Sequence, residues 1–233
     1  MKVGITLPQF SDDPAAALEA ARRAERAGLD GVFCFDHLWP MGQPGRPALS
    51  PGPLLGALAA STTAISVGTL VARIGLLPDD VLVATLASVD RISGGRLIAG
   101  LGTGDHLSRA ENEAFGVPFD PARIRRTRLG GVAGALGDLG VPVWVGGGQA
   151  PTVEVARAAG AAVNLWDADP DSVASLVASG LEVTWGGPVA GDAAAIAGRL
   201  GAVAAAGATW AVCGWPESIE TVAEASGALA GGR

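Results

Sequence analysis

The sequence predicts a single (β/α)8 barrel, an α/β fold that takes in residues 1–233 as one domain. Three observations lead there. Short apolar, β-rich runs alternate eight times with alanine-rich stretches of helical period. The second strand-like run, Gly31–Phe35, is apolar throughout, as a parallel strand covered on both faces should be. None of the eight runs has the polar character of an edge strand, which an open doubly wound sheet would need, and eight right-handed β/α units close most simply into a barrel.

Each element follows from local signals. Val3–Leu7 forms the first strand. Asp12-Asp13-Pro14 opens the next helix with a cap and a proline in its first turn. Glu19, Arg22, Arg23 and Arg26 recur at helical spacing as its wet face, Ala17, Ala20, Ala21, Ala24 and Ala27 form its buried face, and Gly28 ends it. Gly31–Phe35 is the second strand. The Pro/Gly-rich loop 36–53 reads as an insertion on the barrel, and a short helix over 54–62 leads to the third strand, Ile65–Val71. Pro78-Asp79-Asp80 starts a helix expected to turn Leu82, Leu86, Val89 and Ile92 inward. Arg96–Leu101 is the fourth strand. A loop and two helical pieces cover 105–139, with Asp120-Pro121 as a cap signal. Shorter units complete the chain: strands Val143–Val145, Ala162–Leu165, Leu181–Trp185 and Thr209–Cys213, and helices over 151–159, 170–179, 192–206 and 216–229. Alanine (45) and glycine (35) are abundant enough for close helix-on-sheet packing.

Composition excludes several classes. A hydrophobic content of 49% and a mean hydropathy of +0.37 are those of a chain with a large core, not a disordered one. The net charge of −7 and a pI near 4.8 argue against nucleic-acid binding. The acidic excess lies in residues 129–233, and the basic run Arg123, Arg125, Arg126 and Arg128 reads as a solvated helix face. No apolar stretch is long enough to span a membrane, and the opening strand is too short for a signal-peptide core. Cys34 and Cys213 lie in apolar strand-like runs, as buried free thiols do in a reducing compartment. The expectation is a cytoplasmic protein with a small-molecule substrate, no nucleic-acid or membrane partner, and a homodimer as the open oligomeric arrangement.

In a barrel, chemistry gathers where strands end and βα loops begin. Both histidines, His37 and His106, fall on this rim, as do Trp39, Trp166, Trp185 and Trp215, which together would suit a flat apolar ring. Val145 to Thr152 runs strand, glycine loop, helix start. Gly147, Gly148 and Gln149 let a ligand approach the backbone, and the free N–H groups of the first turn suit a phosphate without help from Lys or Arg; the alternative is a tight turn with no ligand. Thr103 and Gly104, after the fourth strand, can add amides and a hydroxyl, so two adjacent loops could share one phosphate. Asp36-His37 ends an apolar strand and reads as a ligand-contacting acid/base pair, with a polar turn as the alternative. With two histidines and no H-x-H or H-E-x-x-H, no metal site is expected. No G-x-S-x-G elbow supports a serine triad.

Together, VGITLPQF, ALEAARRAERAGLDGVFCFDHL, ISVGTLV, ASVDRISGGRLIAGLGTG, AFGVPF, VPVWVGGG and ATWAVCGWP resemble the bacterial-luciferase-like superfamily of flavin- or deazaflavin-dependent oxidoreductases. The S-G-G-R-L-x-x-G-L-G-T-G run and the D-H after strand two are the most specific. They look closest to members that use coenzyme F420, and FMN-dependent members share the frame. The resemblance implies a ring cofactor in the barrel mouth, backed by a non-prolyl cis peptide at Leu70-Val71. It implies Asp36 and His37 by the reactive centre, and phosphate loops at Thr103-Gly104 and Gly147-Gly148-Gln149. It also marks a departure: Leu139–Pro142 replaces a long segment that many members carry before strand five, and an insertion after strand seven is missing, which leaves a more open site.

The reading that follows is a hydride-transfer oxidoreductase using coenzyme F420, or alternatively FMN, with which oxygen insertion becomes available. His37 and Asp36 would be catalytic, and Trp39, His106, Trp166, Trp185 and Trp215 would line the substrate space. The rivals are a flavin-binding barrel without turnover, and a lyase or isomerase on the same rim that binds no flavin.

Overall fold

A computed structural model describes residues 1–40, 42–216 and 218–231. Its strands are β1 (Lys2–Thr6), β2 (Gly31–Cys34), β3 (Ser66–Thr69), β4 (Ala72–Arg73), β5 (Leu97–Gly102), β6 (Val143–Gly146), β7 (Ala162–Trp166), β8 (Val183–Gly187) and β9 (Trp210–Cys213). The helices are α1 (Pro14–Arg26), α2 (Pro51–Ser61), α3 (Asp79–Ser93), α4 (Ser108–Ala114), α5 (Ala122–Asp138), α6 (Ala150–Ala159), α7 (Pro170–Ala178), α8 (Ala193–Ala205) and α9 (Ile219–Gly231).

All strands lie in one sheet, ordered β3-β2-β1-β9-β8-β7-β6-β5-β4, and β3 also pairs with β5, so the sheet closes on itself. Every pairing is parallel. The fold is a (β/α)8 barrel whose third strand is split into β3 and β4. Sequence reading expects this strand unbroken over Ile65–Val71. Instead it stops at Thr69 and resumes at Ala72, with a cis peptide between Leu70 and Val71. Register gives the reason. Gly68 pairs with Ile98 and Ala72 with Leu101, so four steps on one strand face three on the other, which is a bulge.

Several helix ends follow their signals, whereas the expected cap at Asp120-Pro121 is not formed: α5 begins after Pro121 without a side-chain cap, and the Asp120 carboxylate goes to Arg128. Asp13 caps α1 through the Ala15 amide, Asp169 caps α7 and Asp192 caps α8. Gly28, at φ +82°, turns the chain out of α1 in a conformation that costs glycine little. Ile92 does not face inward; it is 60% exposed. Leu82, Leu86, Val89 and Ser93 hold the buried stripe of α3, and Ile92 lies about 100° around the helix from Ser93.

Strand parity builds two cores. Val32, Val143, Val145, Val163, Val183 and both cysteines face outward against the helices. Phe33, Ile98, Trp144, Ala162, Trp210 and Val212 face inward and fill the barrel. Phe33 stacks on Trp144 with centroids 5.1 Å apart, and Trp144 meets Trp210 at 5.5 Å. Rings of that size fit because the opposing positions are bare: a Cβ on Gly31 would lie 2.9 Å from both Phe33 and Trp210. Burial pushes both thiols up, Cys213 to about 12, so both stay protonated. Gly100 is held more rigidly still. Its Cβ would sit 2.1 Å from the Thr69 carbonyl oxygen, a backbone atom that cannot swing aside. Gly100→Ala is expected to lower stability by roughly 1–3 kcal/mol by overpacking, and an unchanged melting temperature would refute this.

Candidate active site at the barrel mouth

The C-terminal ends of the strands enclose a cavity of about 1200 Å³. Its floor is the bulge, Leu70 and Val71. Val71 rests in a cleft left by three glycines on β5 and β6: a Cβ on Gly102 would lie 2.3 Å from it, one on Gly146 2.9 Å, and one on Gly100 3.6 Å. Gly100 and Gly102 of the G-x-G-x-G run thus seat the bulge, leaving Thr103 and Gly104 at the cavity wall.

Gly147, Gly148 and Gln149 line the same cavity, together with Thr152 of α6. Gly147 has φ +115°, a region closed to β-branched residues, and its N–H goes to the Asn164 carbonyl at 3.0 Å. The amides of Gly148, Gln149 and Ala150 have no acceptor among the described residues. They stand exposed at the start of a helix whose dipole favours an anion.

His37 lines the cavity with 19% of its side chain exposed. Its partner is Glu111 of α4, a residue without a signal in the sequence pattern. Glu111 Oε2 lies 3.0 Å from His37 Nδ1 and 3.0 Å from Arg73 Nη1. Glu111 Oε1 accepts the amides of Leu38 and, at 3.3 Å, Trp39. Burial alone would raise the Glu111 pKa, but the His37 ring, the Arg73 guanidinium and the Leu38 amide outweigh it and hold the carboxyl below its ordinary value. An ionised carboxylate only accepts, so His37 donates from Nδ1 and its Nε2 is the nitrogen left for other partners.

Asp36 stands elsewhere. It is not on the cavity wall and makes no hydrogen bond to His37. Its Oδ2 accepts the Arg73 amide at 2.8 Å, and its carbonyl accepts Arg73 Nε at 2.6 Å, so it braces β4 behind the bulge. Burial raises its pKa, against the pull of Arg73. The structure therefore does not bring the expected pair together: His37 is partnered by Glu111, and the Asp36 side chain turns toward Arg73.

The tryptophans divide by parity. On β7, Val163 and Leu165 face the helices, so Trp166 faces the mouth, where it lines the cavity. On β8, Trp185 shares the outward parity of Val183; it is fully buried against the helices and donates Nε1–H to the Ala168 carbonyl at 2.9 Å. Trp185 cannot reach the mouth. Trp39 packs on Phe115 at 5.5 Å, outside the cavity wall. Trp215 and His106 are exposed and lie outside it too. The aromatic wall is instead Phe10, Phe35 and Trp166: Phe10 stacks on Phe35 at 6.1 Å, and Phe35 meets Trp166 edge-on at 6.0 Å. Among the described residues no group of His, Cys, Asp and Glu could hold a metal, and no helix is long and apolar enough to cross a membrane.

Residues 1–128, which carry His37, the bulge, Thr103-Gly104 and Glu111, match the family described as luciferase-like monooxygenase. The chain belongs to that family. No curated protein matches it. Among solved structures, the luciferase-like chain is similar to an F420-dependent secondary alcohol dehydrogenase bound to an F420-acetone adduct, at 14% identity and TM-score 0.80, covering 96% of this chain and 97% of that one. Coenzyme F420-dependent tetrahydromethanopterin reductase from Methanopyrus kandleri matches at 14% identity and TM-score 0.73, over 97% and 98%. Monooxygenase RslO1 from Streptomyces bottropensis matches at 18% and 0.70, over the full length of both. At these identities the likeness is one of fold.

Proposed function

We propose that this luciferase-like chain is an oxidoreductase that moves hydride between coenzyme F420 and a small organic substrate in the barrel mouth, with FMN as the alternative cofactor. The observation that carries this reading is His37: a cavity-facing imidazole whose Nδ1 is tied to an ionised carboxylate, beside an apolar floor and an open glycine loop. These residues suit such a cofactor. Leu70 and Val71 offer a flat apolar backing, and the unpartnered amides of Gly148–Ala150 suit a phosphate. When bound, the cofactor supplies the hydride chemistry.

The chain's own residues do the rest. His37 Nε2 takes the proton from a substrate hydroxyl as hydride leaves, and Glu111 stabilises the imidazolium that results. In the reverse direction the same nitrogen returns the proton. Phe10, Phe35 and Trp166 give the apolar part of the substrate a wall to rest on. F420 takes precedence because the D-H and G-T-G motifs resemble F420-dependent members, and the dehydrogenase and reductase above use it.

Titration of the purified protein with F420 and with FMN, followed by visible absorbance and fluorescence, tests the reading. Saturable binding of F420 and substrate-dependent reduction are expected; binding of neither compound defeats it. A further expectation concerns the phosphate. Replacing Gly147 and Gly148 together by Val puts a β-branched residue at φ +115° and a side chain 3.0 Å from Leu165. Affinity should fall at least ~30-fold from lost charge-assisted hydrogen bonds, and equal affinity in a folded double variant would contradict it.

A further inference from the structure

Arg125 carries a buried charge that no carboxylate among the described residues contacts directly. It belongs to the basic run expected to be a solvated face, yet it is only 7% exposed. Its Nη1 donates to the carbonyls of Thr103 and, at 2.8 Å, Gly104, and its Nε donates to the Asp120 carbonyl at 3.0 Å. The guanidinium lies 4.0 Å from the Phe119 ring centroid. Among the described residues it has no carboxylate within ion-pair distance. The Asp120 carboxylate is held by Arg128 at 2.7 Å, and that of Asp105 by the Leu107 and Ser108 amides. Nearby charge makes matters worse: Arg109 approaches the same Phe119 ring at 4.9 Å. Burial first, then Arg109 and Arg126, lowers the Arg125 pKa against a smaller upward pull from the Asp105 and Asp120 carboxylates, and a guanidinium stays charged regardless. A buried cation whose partners are neutral carbonyls and a ring is poorly compensated.

Peptide geometry indicates where compensation would come from. In a planar trans peptide the C=O and N–H point in opposite directions. The Thr103–Gly104 peptide is trans and turns its carbonyl onto Arg125, so the Gly104 N–H points away from the guanidinium. That amide has no acceptor among the described residues, and Gly104 forms part of the cavity wall. The loop therefore has a cation behind it and a free N–H in front, next to the β6 glycine loop.

We propose that Arg125 is the counter-charge for an anionic phosphate that docks on the Gly104 amide, acting through the Thr103–Gly104 peptide as a positioning residue that never touches the ligand. The phosphate's attachment to a ring cofactor rests on the function proposed above; the anion site itself does not. The consequence is specific: Arg125 governs affinity for the phosphate and leaves affinity for the ring alone.

Two ligand pairs that differ in the phosphate separate these effects: FMN against riboflavin, and F420 against its deazaflavin lacking the phosphate-bearing chain. Dissociation constants are measured by fluorescence on wild type, Arg125→Met and Arg125→Lys. Wild type should prefer the phosphorylated member. Arg125→Met should cut that preference by about 10-fold or more, the scale of one hydrogen bond to a charged group, with the dephosphorylated member within about 2-fold of wild type. Arg125→Lys should retain most of the preference because the charge remains. Equal losses in Met and Lys variants, or no loss in either, would overturn the proposal. If Arg125→Met does not fold, Arg125→Gln, which keeps an N–H for the Thr103 carbonyl, takes its place. If no ring compound binds wild type, the proposed function fails while the anion site is still decided by inorganic phosphate, followed by amide NMR. A saturable shift of the Gly104 resonance that weakens about 10-fold in the variant supports the site, and an unmoved Gly104 resonance overturns it.

Discussion

His37→Ala should lower turnover by ~10²–10⁴, the usual scale for a lost general acid or base, while the melting temperature hardly moves. The side chain sits on the cavity wall and makes one hydrogen bond, to Glu111. When it is removed, Glu111 still holds the Arg73 guanidinium and the Leu38 and Trp39 amides, so the loop after β2 keeps its anchor. Calorimetry and steady-state kinetics on the same preparation test this with a competent substrate. The rival reading, His37 as a loop staple, gives the opposite pair of results: a lower melting temperature and near-normal turnover. That outcome would remove His37 from the chemistry.

Glu111→Ala should do what His37→Ala does not. Glu111 and Arg73 are both buried, 3% and 5% exposed in their side chains, and the carboxylate serves two amides as well. Its loss strands a buried guanidinium, which costs about 3–5 kcal/mol, or a fall in melting temperature on the order of 10 °C for a chain of this size. Turnover falls as well, because His37 loses the acceptor that fixes its tautomer. Acid should reproduce part of the effect. The folded pKa of Glu111 is lowered, so its contribution is fully present above the ordinary carboxyl value near ~4.3 and is lost as pH falls through the lower folded value. Thermal scans of wild type and Glu111→Ala should therefore converge as pH drops below about 4. A constant gap between them down to pH 2 would contradict the assignment.

How much of this was legible in the sequence depended on the range of the signal. Local signals sufficed for the caps at Asp13, the stop at Gly28 and the eight β/α units, because each is decided within a few residues. The glycine loop after β6 was legible for the same reason. Strand parity is also present in the sequence, but a mouth lined by four tryptophans follows from strand ends alone and not from parity. Trp166 and Trp185 both stand near strand ends, but one faces the mouth and the other the helices. The bulge was placed correctly at Leu70-Val71 through family resemblance, though nothing in the local pattern breaks the strand there. Glu111 could not be found by spacing. It lies 74 positions from His37 in an unremarkable helical segment, and only closure of the barrel brings the two together. Arg125 looked like any surface arginine, because its burial depends on where Thr103 and Phe119 fall in space.

The cleft that seats Val71 has a consequence for how this protein can change over generations. A side chain on Gly102 or Gly146 collides with Val71 at 2.3 or 2.9 Å, so either replacement alone damages the floor of the cavity. Once Val71→Ala has removed the obstructing methyls, both positions open. The mutations thus have an order: a lineage must shrink Val71 first, and the reverse sequence passes through a crippled intermediate. Three positions far apart in the sequence are coupled in what each tolerates, with a permitted direction of travel.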